Sequence, residues 1–266
     1  MNIKNKNVLL TGASRGIGSY IAKTLAKNGA FVIGVARSQE NLNLVKKDIE
    51  NEGGEFYSFP FDLNSIQALS KLVDNAKAIR GNIDILVNNA GIELYKPFQN
   101  YTANEVSDIL NINLYAPMEL TRLLLPSMLE RGGHIVSIAS LAGKKGLPFS
   151  TPYSASKAGL IMWTDGMRQE LVDTNVEISV ICPGYISDTG MFFDGGVDPP
   201  PLLGSSKPQA VADAVLKAIR KNKAEIIVNH GPIKPLLAIG QISPKLGDAV
   251  IRIFGVPELS KKRIKK

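Results

Sequence analysis

Strand-length apolar runs recur along this 266-residue chain, and a helical segment separates each from the next. The runs are NVLLTG (7–12), AFVIGVA (30–36), EFYSFPFD (55–62), IDILVNNAG (83–91), GHIVSIAS (133–140), VEISVICPG (176–184) and AEIIVN (224–229). They are apolar throughout rather than alternating, as strands buried on both faces must be. The segments between them have a helical period, and several carry end signals. Ser38 is a plausible cap for the second helix, and Gly29 stops the first. Residues 103–130 read as one long helix with a kink or break at Pro117. Such βα alternation predicts a single α/β domain: a doubly wound parallel sheet of about seven strands with helices on both faces. With 44% hydrophobic residues, a chain of this length can bury one large core, and a second core is not required.

Several classes are excluded early. One cysteine, Cys182, cannot build a disulfide framework, so a reducing, cytoplasmic setting is expected. The start, MNIKNKNVLLTG, is too polar for a signal peptide, and no stretch approaches the roughly 18 apolar residues of a membrane span. The formal charge of +7 is concentrated at the end. Residues 245–266 hold seven basic and two acidic side chains, leaving the body near balance, so no nucleic-acid partner is expected. His134 and His230 are isolated from ligand-like partners and read as structural; no metal is predicted.

The turn after the first run is TGASRGIG, Thr11 to Gly18, with glycines at 12, 16 and 18. Glycine lets a backbone turn with positive φ and approach a phosphate closely, and the helix that follows offers free N–H groups to an anion. At the end of the second run a dinucleotide site often has an acidic residue for the ribose 2′-OH. This chain has Ala36 and Arg37, and Arg15 lies within the glycine turn. Two guanidinium groups suit a 2′-phosphate, which predicts NADP, with NADPH preferred over NADH. Asp62, closing the third run, suits an adenine amino group or a helix cap. NNAG, Asn88 to Gly91, closes the fourth, which places Asn88, Asn89, Ala90 and Gly91 beside a ligand at the carboxyl ends of the strands.

Tyr153 and Lys157 sit four apart in a helical segment, so they share one face. A nearby ammonium favours tyrosinate, and moving a tyrosine toward neutrality needs ~4 kcal/mol. Ser140 ends the fifth run, where its hydroxyl can bond the same substrate oxygen.

TGASRGIG, NNAG, Asn113 in NINLYAP, Ser140 in SIASLAG, YSASK and Pro183–Gly184 occur in the order and spacing of the short-chain dehydrogenase/reductase family, which residues 5–230 resemble. The resemblance implies a Rossmann fold, an NAD(P) cofactor, and a catalytic tetrad of Asn113, Ser140, Tyr153 and Lys157. It implies that Tyr153 protonates a carbonyl oxygen, that Ser140 steadies that oxygen, and that Lys157 binds the nicotinamide ribose while tuning Tyr153. It implies as well that Asn113 holds a water linking Lys157 to solvent. Gly12, Ser14, Arg15, Gly16, Ile17, Gly18, Arg37, Asp62, Leu63, Asn89, Ala90 and Gly91 would hold the dinucleotide, with Pro183, Gly184 and Ile186 flanking its nicotinamide. The family often shows PG-x-x-x-T; here PGYISDT puts Thr189 one place late, so Thr189 reaches the amide through a bulge or Ser187 replaces it. Homodimers or homotetramers through helices at 103–130 and 152–174 are implied as well.

Residues 184–206 are long for a loop, nearly uncharged and rich in Gly and Pro, and are expected to form a lid. Met191, Phe192, Phe193, Leu202 and Leu203 of this lid, with Leu94, Leu141, Leu147 and Phe149, suggest an apolar pocket for a steroid-like or acyl-like ketone or alcohol. Residues 1–230 then form the NADP-binding domain. Residues 231–266 are an extension whose broken apolar stripe is expected to cover the cleft or meet a partner subunit, with a peripheral membrane contact as the other reading. Two further classes of function remain: a dinucleotide-binding regulator without turnover, and a membrane-surface interaction protein acting through the basic tail.

Overall fold

The computed structural model describes residues 1–200 and 203–264. Leu202 of the expected lid and Lys265 and Lys266 of the basic tail lie outside the described residues.

Seven strands form the sheet: β1 (Asn7–Thr11), β2 (Phe31–Ala36), β3 (Glu55–Pro60), β4 (Ile85–Asn88), β5 (Gly133–Ile138), β6 (Val176–Pro183) and β7 (Glu225–Val228). All pair in parallel, in the order β3-β2-β1-β4-β5-β6-β7. The helices that connect and cover them are α1 (Gly16–Lys27), α2 (Gln39–Asn51), α3 (Leu69–Arg80), α4 (Ala103–Leu110), α5 (Ala116–Arg131), α6 (Thr151–Glu170), α7 (Met191–Asp194) and α8 (Pro208–Lys221). The extension adds α9 (Ile233–Ile242), α10 (Pro244–Ile253) and α11 (Val256–Ile264).

Successive side chains of a strand point to opposite faces, so one apolar run feeds two cores. Val8 and Leu10 of β1 pack with Ile21 and Leu25 of α1, Leu42 and Ile49 of α2, and Val215 and Ile219 of α8. Leu9, between them, packs with Leu72 of α3 and Leu120 and Leu124 of α5. The strand order reverses between β1 and β4, and chain connections diverge there to either side. A crevice opens at the carboxyl ends of the strands, at that switch point.

The ends of the helices follow local chemistry. Ser38 caps α2 by accepting from the Asn41 N–H at 3.2 Å. Thr102 and Glu105 form a capping box at the start of α4. The stretch 103–130 is not one helix broken at Pro117. A π-helical turn, Asn111–Tyr115, separates α4 from α5, and Pro117 lies in the first turn of α5, where a missing N–H costs little. Pro126 lies inside α5, which continues past it.

Nothing in the sequence marked 231–264 as three helices. The close passage of α9 and α10 depends on two glycines, since a Cβ on Gly247 would lie 2.7 Å from the Gly240 Cα. Among the described residues no helix is long and apolar enough to cross a membrane. Gly247→Leu is expected to wedge the hairpin apart at a cost of about 1–3 kcal/mol. Limited proteolysis should then cut within 233–264 faster while the sheet body stays intact; an unchanged digestion pattern would refute the close-packed hairpin.

Candidate active site

The crevice begins at the glycine turn. Gly12 has φ +68°, and a Cβ there would lie 2.8 Å from the Ala90 Cα. A Cβ on Gly18 would lie 1.9 Å from the Gly12 carbonyl oxygen, so no other residue fits without moving the turn. Asn89 fixes the approach. Its Nδ2 donates to the carbonyls of Thr11 and Gly12 at 3.0 Å each, while Thr11 Oγ1 accepts from the N–H groups of Asn89 and Ala90 at 3.0 and 3.1 Å. The first turn of α1 has no side-chain cap, which leaves its N–H groups to an anion. The narrow glycine cradle and these donors fit a dinucleotide pyrophosphate.

A cavity of about 570 Å³ runs from this turn across the strand ends. Gly12, Ser14, Arg15, Gly16, Ile17, Gly18, Arg37, Asp62, Leu63, Asn89, Ala90 and Gly91 line one end. Ser140, Tyr153, Lys157, Pro183, Gly184, Ile186 and Thr189 line the other. Asn88 does not line it; its side chain is buried under the strand end. Arg37 is exposed at the rim, and no carboxylate pairs with it among the described residues. Arg15 instead pairs with Asp194 of α7 at 2.6 Å, so it ties the glycine turn to the lid. Asp62 lines the cavity, and its Oδ1 accepts from the Asn64 N–H at 3.0 Å in a local turn bond.

Ser140, Tyr153, Lys157 and Asn113 converge on one wall. The Ser140 hydroxyl accepts from the Ala142 N–H at 3.1 Å and shares the cavity wall with the Tyr153 phenol. Lys157 Nζ donates to the Ile138 carbonyl at 2.8 Å and lies 5.8 Å from the Tyr153 ring centroid. Asn113, in the π-helical turn, lies behind the wall. It donates to the Ile92 carbonyl at 2.9 Å and to Ser156 Oγ at 3.0 Å, and its Oδ1 accepts from the Ile92 N–H at 2.8 Å. Gly91 bridges the two groups: a Cβ there would lie 3.2 Å from Asn113 Oδ1 and 3.5 Å from Lys157 Nζ.

The protonation balance differs from the simple helical-pair expectation. Burial first, and then the Glu93 charge, push the Tyr153 phenol well above its ordinary value, against the Ser140 hydrogen bond and the Arg263 charge. Burial pushes Lys157 down to about 8. The site therefore holds a neutral phenol beside an ammonium that readily loses its proton.

The late threonine is resolved by one residue. Asp188 takes φ +68°, a left-handed conformation that Asp tolerates, and so forms the extra step in the chain. Thr189 then lines the cavity, whereas Ser187 turns toward the Ser206 carbonyl at 3.5 Å. In the lid, Met191, Phe192 and Leu203 line the cavity with Leu141 and Leu147. Phe193 points out and is 55% exposed. Leu94 and Phe149 were expected in the pocket but do not line it. Leu94 packs beside Ile109 and Tyr153, and the Phe149 carbonyl accepts from the Lys96 N–H at 2.8 Å.

The sequence reading missed one ion pair. Arg263 of α11 reaches into the cavity and meets Glu93, just past β4, at 3.2 Å, with side chains only 9% and 7% exposed. The same guanidinium donates to Tyr95 Oη at 2.8 Å and to the Met191 carbonyl at 2.7 Å. It also lies 4.1 Å from the Tyr95 ring centroid and 5.5 Å from that of Phe192. Arg263 thus latches α7 to the loop after β4. The expected basic tail hid it, because six neighbours in 258–266 are charged or polar and nothing local distinguishes one arginine. Above the cavity, Leu236, Leu237, Val250, Ile251 and Phe254 of α9 and α10 form a roof.

Comparisons with known proteins agree with this geometry. A family model described as short chain dehydrogenase matches residues 6–194. The ketoacyl reductase HetN of Nostoc sp. (strain PCC 7120) is 55% identical over 267 residues, covering 98% of this chain and 93% of that protein. A metagenomic short-chain oxidoreductase solved in complex with NADP shares 31% identity at a TM-score of 0.75, covering 86% of this chain and 98% of that one. An actinorhodin polyketide ketoreductase variant solved with NADPH shares 30% identity at a TM-score of 0.78, covering 84% of this chain and 95% of that one.

Removing one member of a buried pair strands the other charge, at about 3–5 kcal/mol. Arg263→Ala is therefore expected to lower the melting temperature and to expose 191–194 to faster hydrogen exchange. Glu93→Gln/Arg263→Met should recover part of the loss. Unchanged exchange at 191–194 in Arg263→Ala would show that the arginine does not hold the lid.

Proposed function

The chain belongs to the short-chain dehydrogenase family and is an oxidoreductase of keto and CH–OH groups, and on that premise we propose that it is an NADP(H)-dependent reductase of an acyl-like ketone. The observation that carries the reading is the shared wall of Ser140, Tyr153 and Lys157 at the apolar end of a cavity that starts at a phosphate-sized glycine cradle.

NADPH, when bound, would supply the hydride. Gly12, Gly16, Gly18 and the first N–H groups of α1 would hold its pyrophosphate, with Ser14, Ile17, Leu63, Asn89, Ala90 and Gly91 lining the rest of its site. Asp62 would serve the adenine. Arg37 would hold the 2′-phosphate, joined by Arg15 once its ion pair with Asp194 opens. Pro183, Gly184, Ile186 and Thr189 would hold the nicotinamide end.

Tyr153 is the general acid. Its raised proton affinity keeps it neutral at physiological pH, so it arrives at the substrate oxygen with a proton to give. Ser140 donates to the same oxygen and limits the charge that develops there. Lys157 stabilises the tyrosinate left behind, because a nearby ammonium favours the anionic form. Asn113 holds the water through which the proton is replaced. The apolar lining of Leu141, Leu147, Met191, Leu236, Leu237 and Phe254 supports a substrate with a hydrocarbon chain, and the ketoacyl reductase relative supports the acyl class.

Residues 1–230 form the catalytic domain, and the extension completes its substrate end. Exposed Tyr115, Met118 and Leu129 at α5 and Met162 of α6 support a homodimer or homotetramer through these helices. The buried thiol of Cys182, pushed up to about 12 by burial, suits a cytoplasmic enzyme with no need of disulfide chemistry.

Fluorescence titration is expected to show tighter binding of NADPH than NADH, and Arg37→Asp should reverse the order. Tighter NADH binding by the native protein would overturn the 2′-phosphate reading. Tyr153→Phe should keep NADPH binding and lose about 10²–10⁴-fold in the reduction of a 3-ketoacyl thioester. Binding without turnover in the native protein, across a panel of ketones, would favour a regulator.

The pH dependence follows from Lys157. Its value in the folded site is lowered, to about 8, so the ammonium is present below that pH and lost above it. The reduction rate should fall as pH rises through about 8. A flat profile through pH 10 would remove Lys157 from the proton step.

A further inference from the structure

Two helices of the extension are apolar on both sides. The inner faces of α9 and α10 line the cavity through Leu236, Leu237, Val250, Ile251 and Phe254. Their outer faces carry Ile239 (39% exposed), Ile242 (86%), Leu246 (57%) and Ile253 (81%). The spacing is helical: 239 and 242 lie one turn apart, and 246 and 253 lie two turns apart on the same face. A surface helix ordinarily buries one stripe and turns polar residues to water. Here no described residue of this chain covers the outward stripe.

The charges beside the stripe are mostly basic, with Asp248 of α10 and Glu258 of α11 the exposed acids among the described residues of the extension. Lys234, Lys245 and Arg252 are exposed on these two helices, and none is in an ion pair among the described residues. The one acid of the hairpin, Asp248, is held by Lys145 at 2.7 Å, outside the extension. Lys261 and Lys262 are exposed on the adjoining α11.

We propose that the outer face of the α9–α10 hairpin docks on an anionic lipid bilayer, with Ile242, Leu246 and Ile253 entering the acyl boundary and Lys234, Lys245 and Arg252 meeting the headgroups. Isolated aliphatic side chains this exposed suit a fluid apolar phase, which needs no shaped pocket. Basic side chains beside them suit a negative surface. A second copy of the same face would bring like charges together, which disfavours self-association there. The docking rests on the surface alone. Its functional consequence rests on the reductase reading: the cavity roof would sit at the bilayer, and an apolar ketone would enter from lipid.

Co-sedimentation of the full chain with vesicles tests this. The native protein should pellet with vesicles of phosphatidylcholine and phosphatidylglycerol at low salt, and more weakly with pure phosphatidylcholine. Each basic side chain near such a surface contributes about fivefold to binding. Lys245→Glu/Arg252→Glu should therefore lose at least about 25-fold toward anionic vesicles. Ile242→Glu/Ile253→Glu should lose at least about tenfold toward both compositions. Turnover of a short water-soluble ketone should be unchanged in both variants, since none of these residues lines the cavity. Native protein that stays in the supernatant with anionic vesicles overturns the proposal. So does a native oligomer that Ile242→Glu/Ile253→Glu dissociates while vesicle binding is nil, because a second copy then covers the face. Pelleting without any ketone turnover would support the docking and count against the reductase reading.

Discussion

The tightest constraint in the molecule is a contact between backbones. The ends of β1 and β4 meet at Gly12 and Ala90, closer than any side chain permits, and Gly18 lets α1 start within reach of the Gly12 carbonyl. The contact requires parallel strands that are neighbours in space and far apart in sequence, and the sheet order supplies them. It also explains why Asn89 and Thr11 spend their hydrogen-bonding capacity on each other's backbone. Those bonds hold the lips of the crevice at one separation. Everything further along the cavity, from the α1 N–H groups to the wall that bears Tyr153, is positioned relative to that lip.

The wall that bears Tyr153 depends on a second irregularity. Asn113 is fully buried, and an amide there must find donors and acceptors or cost several kcal/mol. The π-helical turn at Asn111–Tyr115 rotates it to bond the Ile92 backbone and Ser156. A regular helix through 103–130 has no such turn. Lys157 is buried too, and its Nζ donates to the Ile138 carbonyl at the end of β5. Two polar groups thus stay inside the protein because strand ends offer them backbone partners. This is a property of the carboxyl edge of a parallel sheet and would not be available in its middle.

Local patterns made much of this legible. Apolar runs gave the strands, glycine spacing gave the turn, and helical spacing gave the Tyr153–Lys157 face, since each depends on neighbours within a few residues. The lid's bulge was also within reach, because a threonine one place late demands one extra step, and Asp188 takes it. What escaped was long-range. Arg263 and Glu93 lie 170 residues apart, and neither stands in a motif. The π-helical turn escaped because its residues have ordinary helical propensity and only the burial of Asn113 selects it. The fate of Tyr153 escaped because a helical pair predicts mutual influence, while burial and the Glu93 charge dominate the balance.

The extension can now be read as one piece of logic. A Rossmann sheet leaves its carboxyl edge open, and hydride chemistry needs a dry one, because water competes for the proton donor and weakens every local charge. Two helices above the crevice meet that need only if something holds them down. Lys145 holds α10 through Asp248, and Arg263 of α11 buries its charge against Glu93 and donates to the Met191 carbonyl, so one arginine joins the lid to the extension. Glu93 in turn acts electrostatically on Tyr153 and Lys157. The fastening of the roof and the proton affinity of Tyr153 are therefore coupled through one carboxylate: burial pushes Glu93 up and Arg263 pulls it back down, so Arg263 favours the charged form of the group that raises Tyr153.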